Sequence, residues 1–219
     1  MPASMTITGV DERTSADDIS RLIEQYPWLE IGMLYTVTPE GRNRYPSFDW
    51  LVEAAGVLSG RCALHVCGRG ARGELLVGNL AGVMRHVARL QVNGVFDIDT
   101  LGTICSSVGS DTTVITQDHP DNRDLRLQRG SRNHALLVDG SGGRGIGPST
   151  WVRPSTWKHV GFAGGLGPDN LATELPKIAA VARGEFWVDM ENNLRTDDWF
   201  DIEKAKRACE AFAEWREKA

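Results

Sequence analysis

The residues of this sequence that could do acid–base chemistry follow short apolar runs. Asp139 comes directly after three apolar residues and precedes a glycine-rich loop, so its carboxyl group would end a buried strand. His65, Asp11 and His119 lie in or just beyond similar runs. Imidazole and carboxyl groups placed in this way are the usual proton donors and acceptors of enzymes. These four residues are the candidate catalytic groups, although Asp139 could instead cap the loop and His65 could be an ordinary rim histidine.

Amide and charged side chains that could hold a ligand occupy comparable positions. Burying polar groups without partners costs free energy, so a set of them at strand ends indicates a wet pocket. The candidate ligand-binding side chains are Arg44, Gln91, Asn93, Gln117, Glu191 and Arg195. His65, His119, Asp189 and Glu191 could also converge on a metal ion. Their spacing matches no metal-binding pattern, so we expect no metal site.

Two glycine-rich segments could bind an anion through the backbone. In HVGFAGGLGPDN (159–170), Gly164 and Gly165 end an apparent strand just before a helix. The N–H groups at a helix N-terminus suit a phosphate, and glycine lets the ligand approach the backbone closely. Gly142 and Gly143 open the second segment, after Asp139. A tight turn is the alternative interpretation of the 164–165 pair.

Eight β-prone segments alternate with amphipathic segments and would position these groups. Alternation of this kind predicts a parallel sheet, and eight units of this size predict a closed barrel with its site at the strand C-termini. We therefore expect an α/β protein with a single (β/α)₈ (TIM) barrel of parallel strands over 1–219, with an open doubly wound sheet as the alternative. The predicted strands are 5–10, 28–37, 62–69, 90–96, 112–119, 134–140, 159–165 and 185–190.

The predicted helices differ in how clearly the sequence marks them. Ser15 opens a capping pattern, and Asn79 is expected to cap a helix that continues through the apolar positions after it. A weak helix is expected near 123–130, and the sixth helix is poorly marked in the long loop 141–158.

Composition narrows the class of protein and its partners. The chain has 219 residues, a net charge of -5 and four scattered cysteines. The charge does not favour binding to duplex nucleic acid. The sequence shows no signal-peptide pattern, no membrane span and no cofactor motif. We expect a cytoplasmic monomer or homodimer, without a cofactor, that binds a small and possibly phosphorylated molecule.

Several motifs together resemble those of phosphoribosylanthranilate isomerase, a (β/α)₈ enzyme of tryptophan biosynthesis. FAGGLGPDN is similar to that family's phosphate segment, and HALLVDGSGGRGIG is similar to its sixth strand and loop. LQVNG, RYPS and ITGV resemble its fourth strand, its second loop and its first strand. The resemblance is clearest over 134–200 and can be traced along nearly the whole chain.

The resemblance implies roles for particular residues. In that family an aspartate on strand six is the general acid and a cysteine on strand one is the general base of an Amadori rearrangement. By position, Asp139 is the acid, Arg44 contacts the anthranilate group, and Gly164 and Gly165 bind phosphate. The cysteine position holds Thr8, whose hydroxyl is a very poor base, and the family's second phosphate segment begins here with Glu191.

These departures favour a divergent relative over the tryptophan-pathway enzyme itself. The first hypothesis is an isomerase-like enzyme that acts on a small phosphorylated sugar or nucleotide-like metabolite. His65, Asp11 or His119 would then supply the base. The alternatives are a non-catalytic metabolite-binding barrel and a genuine isomerase with a substitute base, so the sequence leaves catalysis itself open.

Overall fold

Eight parallel strands close into a barrel in the computed structural model, which describes residues 3–127, 133–155, 157 and 159–218. Each strand pairs with the next in the chain, and β8 closes the barrel against β1. The prediction of a single (β/α)₈ barrel is therefore confirmed. The strands are β1 (Ala3–Thr8), β2 (Leu29–Tyr35), β3 (Cys62–Cys67), β4 (Arg89–Asn93), β5 (Thr113–Asp118), β6 (His134–Val138), β7 (Val160–Phe162) and β8 (Phe186–Met190).

Helices follow most of the strands and cover the outside of the barrel. They are α1 (Ala16–Gln25), α2 (Phe48–Val57), α3 (Arg69–Leu76), α4 (Ala81–Met84), α5 (Ile98–Ser107), α6 (Leu171–Ala182) and α7 (Ile202–Lys218). Two 3₁₀ helices, Pro120–Leu127 and Asn192–Leu194, and a small hairpin of β9 (Arg195–Thr196) and β10 (Trp199–Phe200) complete the described elements. Ser15 caps α1 as predicted, because its hydroxyl accepts from the Asp18 N–H at 3.3 Å.

The helix after β3 begins earlier than the sequence pattern indicates. The prediction that Asn79 caps it is wrong, since α3 begins at Arg69 and ends at Leu76, before Gly78 takes a φ of 84°. The Asn79 side chain donates to Glu74 Oε2 at 2.5 Å instead of capping a helix. Of the apolar stripe that follows, only Ala81–Met84 is helical, because β4 already starts at Arg89.

The other two weakly marked helices also differ from expectation. The helix predicted near 123–130 is the 3₁₀ helix Pro120–Leu127, and 128–130 lie outside the described residues. Between β6 and β7 the chain forms no helix over 139–155, and 156 and 158 are not described.

The barrel interior holds a thin apolar layer. It consists of Ile115, Ala135, Leu137, Ala163 and Trp187, while the outward faces of the strands join the larger core under the helices. The Trp187 indole occupies so much of this space that a Cβ on Gly161 would lie 2.0 Å from it. Below the indole, the Arg89 guanidinium stacks on the ring at 4.4 Å and pairs with Glu30 at 3.1 Å. These two residues place a partly buried ion pair beneath the apolar layer.

A cavity of about 250 Å³ opens below Trp187, at the N-terminal end of the barrel, with Arg89 and Glu185 among its lining residues. In the described part of the chain, no helix combines the length and the hydrophobicity needed to cross a bilayer.

Candidate active site

A small cavity of about 50 Å³ lies at the opposite end, where the strand C-termini meet. The structure brings together nine of the predicted site residues around it. They are His65, Gln91, Asn93, Gln117, Asp139, Gly143, Gly164, Gly165 and Glu191. Asp189, Asn192 and Asn193 complete the polar part of the lining. Asp11, His119, Arg44, Gly142 and Arg195 do not line the cavity.

His65 and Gln91 lie side by side on β3 and β4 in the register of the sheet. They are 2% and 3% exposed, and the His65 Nε2 and Gln91 Oε1 atoms are buried without a hydrogen-bond partner. Burial, with a smaller effect of the nearby Arg89 charge, lowers the pKa of His65 to about 3, so its imidazole is neutral. Buried polar atoms without protein partners cost free energy, so this pair marks a place in the cavity lining where a ligand group or a water molecule would bind.

Asp189 on β8 is held by Thr8 on the neighbouring strand β1. The Thr8 hydroxyl donates to Asp189 Oδ1 at 2.6 Å, and both side chains are buried. Gly32 makes room for this contact, since a Cβ there would lie 2.2 Å from Thr8 Oγ1. Burial raises the pKa of Asp189 to about 7, and the hydrogen bond from Thr8 opposes the rise. A carboxyl group with such a pKa can accept or donate a proton near neutrality.

The sequence pattern did not single out Asp189 as a catalytic residue. Its catalytic potential depends on a neighbour far away in the chain, Thr8, and on the burial of both. The sequence did contain one signal for a place in the site. Trp187, Asp189 and Glu191 occupy alternate positions, so they share one face of the strand.

Asp139 is buried and its carboxylate is surrounded by donors. Oδ1 accepts from the Ser141 N–H at 3.1 Å and from the Ser141 hydroxyl at 2.7 Å. Oδ2 accepts from Gln117 Nε2 at 3.1 Å and from the Gly143 N–H at 2.6 Å. Four donors match the hydrogen-bonding capacity of an ionised carboxylate. Asp139 therefore both lines the cavity and fixes the start of the loop that follows β6.

The two glycine-rich segments contact each other at the edge of the cavity. Gly164 and Gly165 have φ angles of 109° and 65°, which favour glycine. A Cβ at these positions would lie 2.8 Å from the Ile146 carbonyl oxygen and 2.6 Å from the Gly147 nitrogen. The loop after β6 is thus packed onto the turn after β7.

Asn170 shapes this turn from the start of α6. Its side chain accepts from the Gly167 N–H at 2.9 Å and donates to the Gly165 carbonyl at 2.8 Å. In the part of the chain that the structure describes, the N–H groups of Gly164 and Gly165 have no acceptor. They are available to an anion, although a tight turn alone would also explain the glycines.

The two arginines expected to hold an anion are already paired within the protein. Arg44 donates to Asp198 Oδ1 through Nε at 3.0 Å and Nη2 at 2.6 Å, and to Glu191 Oε1 through Nη1 at 2.8 Å. Arg195 is buried and donates to the carbonyl oxygens of Gly9 and Asp198. Burial raises the pKa of Glu191, while Arg44 and Arg195 oppose the rise. Neither arginine lines the cavity.

Asp11 and His119 also lie outside the cavity. Asp11 is fully buried, and its carboxylate accepts from the Phe200 N–H at 2.6 Å and lies 3.6 Å from Arg195 Nη1. His119 is half-buried, with its Nδ1 3.4 Å from Asp121 Oδ2. A Cβ on Gly142 would lie 3.0 Å from the His119 ring, so Gly142 packs on the imidazole and not on the cavity.

Among the described residues, no group of three or more His, Cys, Asp or Glu side chains is placed to hold a metal ion. To the predicted site the structure adds Asp189, Asn192 and Asn193 as lining residues, and Thr8 as the hydrogen-bond donor to Asp189.

Comparison with known proteins shows the fold but not a family. No family model matches the sequence, and no curated protein matches it. Solved structures do match, among them phosphoribosylanthranilate isomerase from Thermus thermophilus, at 18% identity and a TM-score of 0.63, covering 97% of this chain and 100% of that one. The enzyme from Thermotoga maritima matches at 15% identity and a TM-score of 0.65, covering 97% and 99% of the two chains. The Pyrococcus furiosus enzyme matches at 13% identity and a TM-score of 0.62, again over 97% and 99%.

Proposed function

We propose that this protein is an isomerase-like enzyme that performs acid–base chemistry on a small phosphorylated sugar or nucleotide-like metabolite in a cytoplasmic setting. The reaction would take place in the cavity at the C-terminal end of the barrel. All four cysteines are thiols in the structure, in agreement with a reducing compartment.

The observation that carries the proposal is the environment of Asp189. A buried carboxyl group with a pKa of about 7 lines the same small cavity as two buried polar atoms without partners, His65 Nε2 and Gln91 Oε1. Strongly perturbed groups in a cleft are typical of catalytic sites.

In this proposal the two carboxyl groups divide the proton transfers. Asp189 transfers the carbon-bound proton. In the isomerase family that the sequence resembles, a cysteine has this role, and the corresponding position of this chain holds Thr8. The Thr8 hydroxyl orients the Asp189 carboxyl group through its 2.6 Å hydrogen bond. Asp139 faces the oxygen of the sugar ring, and the neutral His65 and the Gln91 amide hold substrate hydroxyl or amine groups.

The turn after β7 supports binding of the phosphate. The unpaired N–H groups of Gly164 and Gly165 precede α6, where the helix dipole favours an anion. One of the structurally similar isomerases has been solved in complex with reduced 1-(o-carboxyphenylamino)-1-deoxyribulose 5-phosphate, which is a phosphorylated ligand.

The test measures turnover in two steps. Phosphoribosylanthranilate is generated in place and its fluorescence decay is followed, and pentose and hexose phosphates are then incubated in D₂O to detect deuterium exchange by NMR. We expect catalysis in one of these assays. The Asp189→Asn and Asp139→Asn variants should each lower the rate by at least about a hundredfold, the typical contribution of a positioned acid or base.

The matched control is Asp111→Asn, which removes an exposed carboxylate at the N-terminal end of the barrel, just before β5. This variant should retain the wild-type rate. If wild type and Asp189→Asn showed the same rate in every assay, the catalytic role of Asp189 would be wrong.

A metabolite-binding barrel without catalysis is the second candidate, and the four donors on Asp139 favour it. These donors hold the carboxylate in place at the start of the loop after β6, which is a structural role. Tight binding of a sugar phosphate without turnover or exchange would support this candidate.

A further inference from the structure

A chain of three hydrogen bonds runs along the ends of β3 and β4, beside the cavity. Cys67 Sγ donates to the His65 carbonyl oxygen at 3.6 Å. Asn93 Nδ2 donates to Cys67 Sγ at 3.3 Å, and Gln91 Nε2 donates to Asn93 Oδ1 at 3.0 Å. The register of the sheet brings these groups together, because His65 pairs with Gln91 and Cys67 pairs with Asn93. The chain ends at Gln91, which lines the cavity and whose Oε1 atom is buried without a protein partner.

The direction of these bonds is set at the His65 end. A backbone carbonyl oxygen can only accept, so the Cys67 thiol directs its single proton to it. The sulfur then offers a lone pair to Asn93, which presents its NH₂ group there and its oxygen to Gln91. Gln91 in turn presents its own NH₂ group to Asn93, so the oxygen of the Gln91 amide is the end left without a protein partner.

Cys67 keeps the proton that this direction requires. Burial raises the pKa of its thiol to about 11, while the hydrogen bond from Asn93 opposes the rise, so the S–H group is present at neutral pH. The Tyr45 hydroxyl also hydrogen-bonds the sulfur, and it can donate its proton there without reversing the other bonds. Cys67 is therefore a neutral link between the two strands and not a nucleophile, because the thiolate is the reactive form of cysteine.

We propose that Cys67 and Asn93 are positioning residues, which hold the Gln91 amide so that its oxygen is the acceptor that this part of the site offers to a ligand. The ligand group that contacts Gln91 is then a hydroxyl or an amine, whereas a carbonyl or carboxylate oxygen in the same place would meet another acceptor. The ligand half of the inference rests on the proposed function. The orientation of Gln91 rests on the hydrogen bonds alone, so the two halves are measured separately.

The orientation is tested without a ligand, by NMR on the full-length protein. Exchange of the Gln91 Nε2 protons with solvent is followed, and their signal is assigned by its absence from Gln91→Met. Cys67→Ala should speed this exchange at least about tenfold, because Asn93 loses the partner that keeps its oxygen towards Gln91. Cys67→Ser should keep the exchange close to that of wild type, since a hydroxyl group can donate and accept in the same directions.

Cys62 supplies a matched control on the same strand. Its sulfur donates to the His86 carbonyl oxygen, also at 3.6 Å, but it lies at the start of β3 and does not line the cavity. Cys62→Ala should lower the free energy of unfolding in urea and leave the exchange of the Gln91 amide unchanged. Unchanged exchange in Cys67→Ala, or an equal acceleration in Cys62→Ala, would overturn the positioning role.

The ligand preference is tested with ribose 5-phosphate and its 1-deoxy, 2-deoxy and 3-deoxy analogues, each of which lacks one hydroxyl group. Dissociation constants are measured by calorimetry. We expect one analogue to bind at least about tenfold more weakly than ribose 5-phosphate, because it leaves the buried Gln91 oxygen without a donor. Gln91→Met and Cys67→Ala should bring this ratio close to one, and Cys67→Ser should preserve it.

The outcomes separate the inference from the proposed function. Equal binding of all four compounds to the wild-type protein, or a ratio that Gln91→Met leaves unchanged, would overturn the ligand half of the inference and leave the proposed function standing. Failure of ribose 5-phosphate and its analogues to bind would count against the proposed function and the ligand half together. The amide exchange would still decide the orientation of Gln91.

Discussion

At the scale of single residues, the chemistry depends on where each carboxyl group is buried. Asp139 is held by four donors, Asp11 by backbone groups and Arg195, and Asp189 by one hydroxyl in an environment that raises its pKa to about 7. The same functional group thus has three different roles. Asp189 combines this raised pKa with a place in the cavity lining.

The raised pKa of Asp189 predicts a specific pH dependence of stability. In the unfolded chain this group ionises near pH 4, and in the folded protein its pKa is about 7. Between these values the folded state binds more protons, so the group's contribution to stability falls as the pH rises. Asp189→Asn should therefore gain stability over wild type from pH 4 to pH 7, by on the order of a few kcal/mol, and level off above.

Urea unfolding of both proteins at several pH values measures this difference, because all other titrating groups cancel. A difference that stayed constant between pH 4 and pH 8 would show that Asp189 is not buried in the way the structure places it.

Asp11 should behave as a structural residue. Its carboxylate joins the loop after β1 to the β9–β10 hairpin through the Phe200 N–H and the buried Arg195. Breaking a buried ion pair from one side typically costs about 3–5 kcal/mol. Asp11→Asn should lose stability of this order in urea unfolding while each folded molecule keeps its turnover in the assays above. Normal stability with lost turnover would instead make Asp11 catalytic.

At the scale of elements, a side chain on the neighbouring strand restricts position 161 on β7 to glycine. A Cβ there would lie 2.0 Å from the Trp187 indole, which is confined in the barrel interior. Overpacking a core typically costs about 1–3 kcal/mol, so Gly161→Ala should lower the free energy of unfolding by this amount.

Gly56→Ala is the matched control for this substitution. Gly56 lies in α2, with nothing within 4 Å of a Cβ, and alanine is the better helix residue. Thermal unfolding should show this variant to be as stable as wild type or slightly more so. A Gly161→Ala protein with unchanged stability would contradict the packing of Trp187 against β7.

The elements also show which parts of the fold the sequence could predict. All eight strands were predictable, because buried parallel strands form short apolar runs at regular spacing. The Asn79 cap was mispredicted because the apolar stripe after it extends into β4, so a helical pattern and a strand pattern overlap at Leu90. The site residues on strands, such as Gln91 and Gln117, were found by their places at strand ends.

The partners of the site residues could not be predicted in the same way. Arg44 pairs with Asp198 because the β9–β10 hairpin brings Asp198 to it. The turn of this hairpin holds Asp197 and Asp198 at φ angles of 51° and 62°. Nothing in local sequence indicates which of two nearby carboxylates a guanidinium group will bind. The same holds for Thr8 and Asp189, which are joined only when the barrel closes.

At the scale of the whole molecule, closure of the barrel brings the first and last strands together, and the chemistry lies at this seam. β1 supplies Thr8 and β8 supplies Asp189, so the hydrogen bond between them spans almost the whole chain. Partial unfolding at either end of the chain would therefore separate β1 from β8 and break the contact that orients the proposed base, Asp189. Stability of the barrel and competence of the site should be lost together.

The five-residue layer that contains Trp187 has a further consequence for the molecule as a whole. The cavity at the C-terminal end and the larger one at the N-terminal end are separated by this one layer of side chains. The indole is by far the largest member, and it is flanked by alanines and glycine. A small residue at position 187 would therefore leave a void at the centre of the barrel, between the two cavities.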